Sequence, residues 1–298
     1  MNARVEPVTQ PVPQPIVRAE YELPLTPPPP MPGERPRSLA DRLPGAGWLR
    51  KGLLLAVLAA LWEWAARVAG NDLLLPGFVQ TAQAFAAGVA SGELPRYVGV
   101  SLGVLLQGYL AGVAGAFVLT SLAMASRVGR DLLEILTAMF NPLPAIALLP
   151  VALLWFGLGK GSLVFVLVHS VMWPLALNAY AGFRAVPETL RMAGRNYGLG
   201  GLRMVTQVLV PAALPAILSG LKIGWAFAWR TLIAAELVFG TTSGKGGLGW
   251  YIFQSRNELF TDKVFAGLAT VIVIGLAFEH IVFDAVERVT VRRWGMQR

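Results

Sequence analysis

The chain has no cysteine and only two histidines among its 298 residues. The first absence removes disulfides, thiolate metal sites and cysteine nucleophiles together. The second leaves His169 and His280, 111 residues apart, and argues against a histidine metal centre. Charge is scarce as well. Only 14% of residues are charged, 55% are hydrophobic and the mean hydropathy is +0.58, whereas a soluble domain carries roughly 25% charged residues. The composition is that of an integral membrane protein. The net charge of +8 does not indicate nucleic acid, because the arginines flank apolar runs and do not interleave with aromatics.

Nucleotide-binding and hydrolytic motifs are missing too. A phosphate-binding P-loop needs four residues between its first glycine and Gly-Lys, then Ser or Thr. Gly240 precedes Gly244-Lys245 by three residues and Gly246 follows; at Gly159-Lys160 the next residue is Gly161. Neither fits, so the chain is not expected to bind ATP. No Gly-x-Ser-x-Gly elbow or zinc-type cluster occurs, and no catalytic residues are expected.

What is present is a series of apolar runs. Residues 1–45 hold 12 of the 21 prolines and are expected to form a disordered, partly polyproline arm. A membrane helix needs about 20 apolar residues, and residues 46–298 supply six such stretches. Gly52–Ala69 carries Glu63 and Arg67 at the i, i+4 spacing of a helical ion pair. Asn71–Arg96 reads as an outer loop with a short amphipathic helix. The 30 uncharged residues between Arg96 and Arg127 form the second span. Its Gly99/Gly103 and Gly108/Gly112 pairs have the spacing of close helix packing.

The third span, between Glu134 and Lys160, is interrupted by Asn141-Pro-Leu-Pro and Pro150. Irregular backbone within a membrane is tolerated only against protein or a watery cavity, so Asn141 and Pro142 are pathway candidates. Leu163–Phe183 is the fourth span and contains His169, Trp173 and Pro174. Ala216–Phe239 is the fifth, with Lys222, Arg230 and Glu236. Val264–Glu287 is the sixth. Ionisable residues inside a membrane cost about 2.5–3.5 kcal/mol on insertion scales, which adds His169, Arg230 and Glu236 to the pathway candidates, with Trp173 one turn from His169. Arg230 and Glu236 lie about 120° apart round a helix and are not expected to face each other.

Six spans place both termini on one side. That side carries fifteen Lys and Arg outside the spans and the arm's first residues, including Arg127, Arg130, Arg184, Arg191, Arg195 and Arg203; the other carries five. The bias assigns both termini, and the basic stretch Arg184–Pro215, to the cytoplasm.

In that stretch Met192-Ala193-Gly194 is followed by three residues, Gly198, nine residues, Val208, one residue, Val210 and Pro211. The spacing resembles the cytoplasmic Glu-Ala-Ala loop of bacterial ABC importer permeases. Leu149–Gly159, Ala179–Arg184, Val210–Gly224, Ala235-Glu-Leu237 and Phe265-Ala-Gly267 look like its nitrate/sulfonate/taurine branch. The likeness covers roughly Gly52 to Trp294. Met192 replaces the motif glutamate and Gly194 its second alanine.

The resemblance implies an all-α type I importer permease fold of six transmembrane helices in the inner membrane, with cytoplasmic coupling helices at about 184–211. It implies a homodimer, two cytoplasmic ATP-binding subunits holding ATP and magnesium, and a periplasmic solute-binding protein. Glu188, Arg191, Met192, Ala193, Gly194, Gly198 and Pro211 would meet the ATPase. Glu188, one turn before Met192, is expected to stand in for the missing glutamate. The solute would be a small anion, and the sequence leaves its identity open. A secondary transporter is the rival reading, but it would usually show inverted repeats of broken helices, and none are visible.

Overall fold

A computed structural model describes residues 46–239 and 246–292. The proline-rich arm, the Gly240–Lys245 loop and the end of the basic tail lie outside the described residues. The chain divides into two compact units at Leu55/Ala56, and every contact discussed below lies within the second.

The described residues form helices only. In order these are α1 (Ala46–Ala69), α2 (Phe78–Ala90), α3 (Glu93–Ala125), α4 (Arg127–Phe140), α5 (Leu149–Phe156), α6 (Lys160–Ala185), α7 (Glu188–Asn196), α8 (Gly201–Met204), α9 (Val210–Phe239), α10 (Leu248–Asn257), α11 (Thr261–Ala277) and α12 (Asp284–Glu287). Five helical stretches have the length and apolar composition to cross a membrane: Gly47–Ala69, Glu93–Ala125, Lys160–Ala185, Val205–Val238 and Thr261–Thr290. The pair α4 and α5 stands where the third span is expected and is either one broken span or a re-entrant loop.

That third span is broken more sharply than a proline kink. Its two halves meet at 90°, joined through Asn141–Pro144 and a 3-10 turn over Ala145–Leu148. Pro142 and Pro144 each remove a backbone donor and disfavour helix in the residue before them, while Pro150 sits in the permissive first turn of α5. At the other end, Ser126 caps α4 by accepting the Gly129 N–H at 2.9 Å, which separates it from α3.

Helix α6 is the central post. Two-thirds of its most apolar 18-residue stretch is buried, against 6% for α1. Helices α3 and α9 pack on opposite parts of it, and small residues set the distance. A Cβ on Gly108 would meet Leu167, and one on Gly112 would meet Val171, both in α6. Gly99 and Gly103, expected to pack in the same manner, have no heavy atom within 4 Å of a built Cβ. Only the second glycine pair serves packing within the chain. On the α9 side, Gly182 faces Ala213 and Ala216, and Gly220 faces Leu175 and Asn178.

The second half of the basic stretch and the fifth span are one rod. Residues Gly201–Met204 are α-helical, Val205–Leu209 form a π turn, and α9 follows without a gap. Pro211 cannot donate, and its ring crowds the carbonyl four residues back. The wider π turn, in which Val210 N–H bonds Val205 O, absorbs that misfit just before it. The last span likewise continues through π turns beyond Glu287.

Several charges within the spans are held by partners. Arg67 bonds Glu63 at 2.9 Å, and Glu63 also accepts the Val79 N–H at 3.2 Å. Lys222 of α9 meets Glu287 of α12 at 2.6 Å. Glu236, wholly buried, accepts the Ser101 hydroxyl on both oxygens at 2.9 and 2.8 Å and the Gly249 N–H at 2.9 Å. Ser101 Oγ in turn accepts the Leu248 N–H at 2.8 Å. The carboxylate thereby ties α9 to α3 and to the start of α10. Side chains at Gly247 or Gly249 would collide with it.

Candidate functional site

Two regions carry the features expected of function. The first is a cavity of about 260 Å³ where the break between α4 and α5 meets α6 and α9. Its wall includes Asn141, Pro142 and Pro144 from the break, His169, Ser170 and Trp173 from α6, and Phe227, Arg230 and Thr231 from α9. The sequence assembles it in simple steps. The prolines end α4 and open the backbone, and helical periodicity puts His169 and Trp173, four apart, on one face of α6. A hydrogen bond from Ser170 to Thr231 at 3.1 Å pins the facing helix.

The chemistry of the wall is specific. Phe140 stacks on Trp173 with ring centroids 5.3 Å apart and meets His169 edge-on at 6.2 Å. Both His169 nitrogens and Trp173 Nε1 are buried without a hydrogen-bond partner. Arg230 donates Nε–H to its own helix at Ala226 O, 3.0 Å, and its guanidinium lies 5.2 Å from the centre of the Phe227 ring. Among the described residues no carboxylate lies within ion-pair distance of it. An unpartnered buried donor costs about 1–3 kcal/mol, and a cation beside an apolar, low-dielectric wall attracts a counter-charge strongly. This arrangement suits a small oxyanion or carboxylate.

The structure thus brings Asn141, Pro142, His169, Trp173 and Arg230 together, and holds Glu236 apart in its cage with Ser101 and Gly249. Its long separation from Ser101 in the sequence hides that role. Ser170, Phe227 and Thr231 also line the wall, and Phe140 supports it by stacking on Trp173. Each adjoins a residue or motif singled out above, but an uncharged side chain in an apolar run gives no signal of its own.

The second region is the helix α7. Pro187 O accepts the Leu190 and Arg191 N–H groups and starts it, and Glu188 complements its N-terminal dipole. Glu188 faces Arg191 at 3.9 Å and Arg195 at 3.6 Å. Arg191 donates to Phe183 O at 2.7 Å, joining α7 to the end of α6. On another face, a Cβ on Gly194 would meet Met204 and Val208, so α7 also rests on the base of the fifth span. Gly198, at φ 74°, ends it: its N–H bonds Arg195 O, and Leu199 N–H bonds Gly194 O. Met192, Ala193, Arg195 and Tyr197 are left exposed, and Pro211 lies beyond the π turn. The seven residues singled out in this stretch therefore divide: Arg191 and Gly194 hold α7 to the membrane helices, Glu188 and Gly198 mark its two ends, Met192 and Ala193 face outward, and Pro211 belongs to α9.

Comparison with known proteins places both regions in context. Residues 108–293 match the family described as "Binding-protein-dependent transport system inner membrane component". The taurine transport system permease protein TauC of Escherichia coli is 31% identical over 235 residues, covering 76% of this chain and 82% of that protein. The putative aliphatic sulfonates transport permease protein SsuC of the same organism is 30% identical over 73% of this chain and 82% of its own length. The nitrate import permease protein NrtB of Synechocystis is 26% identical over 78% of this chain and 86% of that protein.

Proposed function

Because the chain belongs to the binding-protein-dependent transport system inner membrane components, and within them to the ABC permeases related to sulfonate, taurine and nitrate transport, we propose that it is the membrane subunit of an ATP-driven importer for a small anion. A solute-binding protein delivers the anion at the outer face. Two copies of the chain enclose the pathway, and ATP-binding subunits, which hold ATP and magnesium, engage α7 and the base of the fifth span from the cytoplasm. Both termini share that cytoplasmic side of the inner membrane. Closure of the ATPases shifts the permease between inward- and outward-open states, by as much as they bind one state better than the other.

The observation that carries the anion reading is Arg230. It stands at a cavity beside partnerless His169 and Trp173 nitrogens, with no carboxylate among the described residues to neutralise it. The cavity lies against α6 and α9, and α7 is fastened to both of these helices. The same two helices therefore connect the ATPase contact to the solute. Met192 and Ala193 offer the outward face, and Glu188, itself exposed and held by ion pairs of 3.9 and 3.6 Å that contribute about 0–1 kcal/mol, is free to exchange them for a basic residue of the ATPase.

The test is uptake by proteoliposomes containing the complete complex. Uptake is expected to need ATP and to be insensitive to collapse of a proton gradient. Arg230→Gln is expected to lower uptake about 10- to 100-fold, the loss of one hydrogen bond to a charged group. ATP hydrolysis without solute should continue. Uptake driven by a proton gradient alone, or unchanged in Arg230→Gln, contradicts the reading.

A further inference from the structure

Helix α10 ends on a left-handed residue that is not a glycine. Its last bonds run from Leu259 N–H to Arg256 O at 3.1 Å and from Phe260 N–H to Ser255 O at 2.9 Å. This is the paired termination that needs a left-handed residue just past the helix end. Leu259 fills that position at φ 62°, and among the described residues it is the only non-glycine with positive φ. The other positive-φ positions are glycines, including Gly70, Gly92 and Gly198, and Gly198 ends α7 with the same pair of bonds. A left-handed conformation costs an L-residue about 1–2 kcal/mol. At Leu259 nothing is recovered by burial, because the side chain is 67% exposed.

Backbone strain around an exposed apolar side chain calls for something outside the fold to bind it. The surroundings enlarge the surface. Phe260 is exposed beside it, and Thr261 donates to Leu73 O at 3.1 Å, which brings up the exposed Leu73 and Leu74 from the loop after α1. The patch is collared by charge. Arg256, Glu258 and Asp262 lie within three residues of Leu259, and Lys263 reaches Glu93 at 4.0 Å and the Phe260 ring at 5.2 Å. A lipid-facing position would be served by any apolar residue in an unstrained conformation, without charges of both signs around it. An apolar centre with a mixed polar rim is the composition of a protein–protein contact. The family description is of a transport system that depends on a binding protein, which is the soluble partner such a surface would meet at the outer face.

We propose that Leu259, with Phe260 and Leu73–Leu74 beside it, is the apolar knob on which the solute-binding protein docks. This rests on the sidedness given above, which puts the α10–α11 turn at the outer face. The complementary surface on the binding protein is a small apolar hollow ringed by charged groups. The fold holds the leucine in its strained conformation so that its side chain projects from the turn.

Leu259→Gly tests the idea, because it removes the side chain and relaxes the backbone together. In the complete complex in nanodiscs, the concentration of purified cognate solute-binding protein giving half-maximal ATPase stimulation is expected to rise roughly tenfold, as for loss of a central interface anchor. Basal hydrolysis and the unfolding temperature should not fall. Leu259→Asn, which also tolerates left-handed backbone, should behave alike. Unchanged half-saturation overturns the proposal, and so does a lowered unfolding temperature, which would make the leucine a structural residue. Sidedness is read separately. The chain has no cysteine, so Leu259→Cys reports cleanly to a membrane-impermeant maleimide. Labelling from the outer face with unchanged half-saturation sinks the knob alone; labelling only from the cytoplasmic face overturns the topology and the knob with it.

Discussion

Replacing Glu236 by alanine is expected to cost more than any other single change within the spans. The carboxylate is wholly buried and accepts from Ser101 and from Gly249 N–H. Truncation leaves the Ser101 hydroxyl and the Gly249 amide without acceptors, each at about 1–3 kcal/mol. The vacated volume adds about 1 kcal/mol or more. The sum, about 3–7 kcal/mol, is comparable to the whole stability of many domains. Glu236→Gln keeps the shape and an acceptor for Gly249, and Ser101 Oγ can take one amide proton, so one unmet donor remains at most and the cost is about 1–2 kcal/mol. The assay is reversible unfolding by sodium dodecyl sulfate in mixed micelles, followed by the fluorescence of Trp250, which lies in the loop-to-helix segment that the cage secures. Equal losses for alanine and glutamine, or a loss below about 0.5 kcal/mol for alanine, would show that the cage does not hold α10 to α3 and α9.

Two further outcomes follow from the ion pairs. Lys222→Ala removes the 2.6 Å ion pair with Glu287, whose two side chains are partly exposed, and is expected to destabilise by about 1–2 kcal/mol; the exchanged pair Lys222→Glu with Glu287→Lys should restore more than half of that in the same unfolding assay. Glu188→Ala is expected to leave folding within about 0.5 kcal/mol, because Glu188 itself is exposed and its pairs with Arg191 and Arg195 are long, at 3.9 and 3.6 Å, yet to reduce solute imported per ATP in proteoliposomes. A wild-type ratio of transport to hydrolysis would show that this residue does not replace the motif glutamate.

Much of the architecture could be read from the order of the residues. Length and charge scarcity set the spans, and the prolines at 142, 144 and 150 marked the third as irregular. The cavity residues Asn141, His169, Trp173 and Arg230 were found because polar or kinking residues are costly in an apolar run. Other features were hidden. The 90° break exceeds what a proline imposes, because it depends on how both halves pack on neighbouring helices. Gly99/Gly103 and Gly108/Gly112 have identical spacing, yet only the second pair meets α6; a motif states that close approach is possible and leaves open which face is used. Glu236 shares the cost argument that identified Arg230, but its partners at 101 and 249 are brought near only by the tertiary fold. Leu259 carried no signal, since its conformation comes from the bonds that end α10.

The π turn at Val205–Leu209 has a consequence for how the two working regions stay in phase. Each α-helical residue advances the chain by about 100°, and a π turn amounts to one residue added to an α-helix. Were the same residues wound as unbroken α-helix, the surplus residue would turn all that follows by about that angle relative to Met204, which buttresses Gly194. Arg230 would swing away from His169 while the coupling loop kept its place. A single surplus residue thus acts as a timing mark, setting the rotation at which the cytoplasmic contact and the cavity wall are joined on one rod.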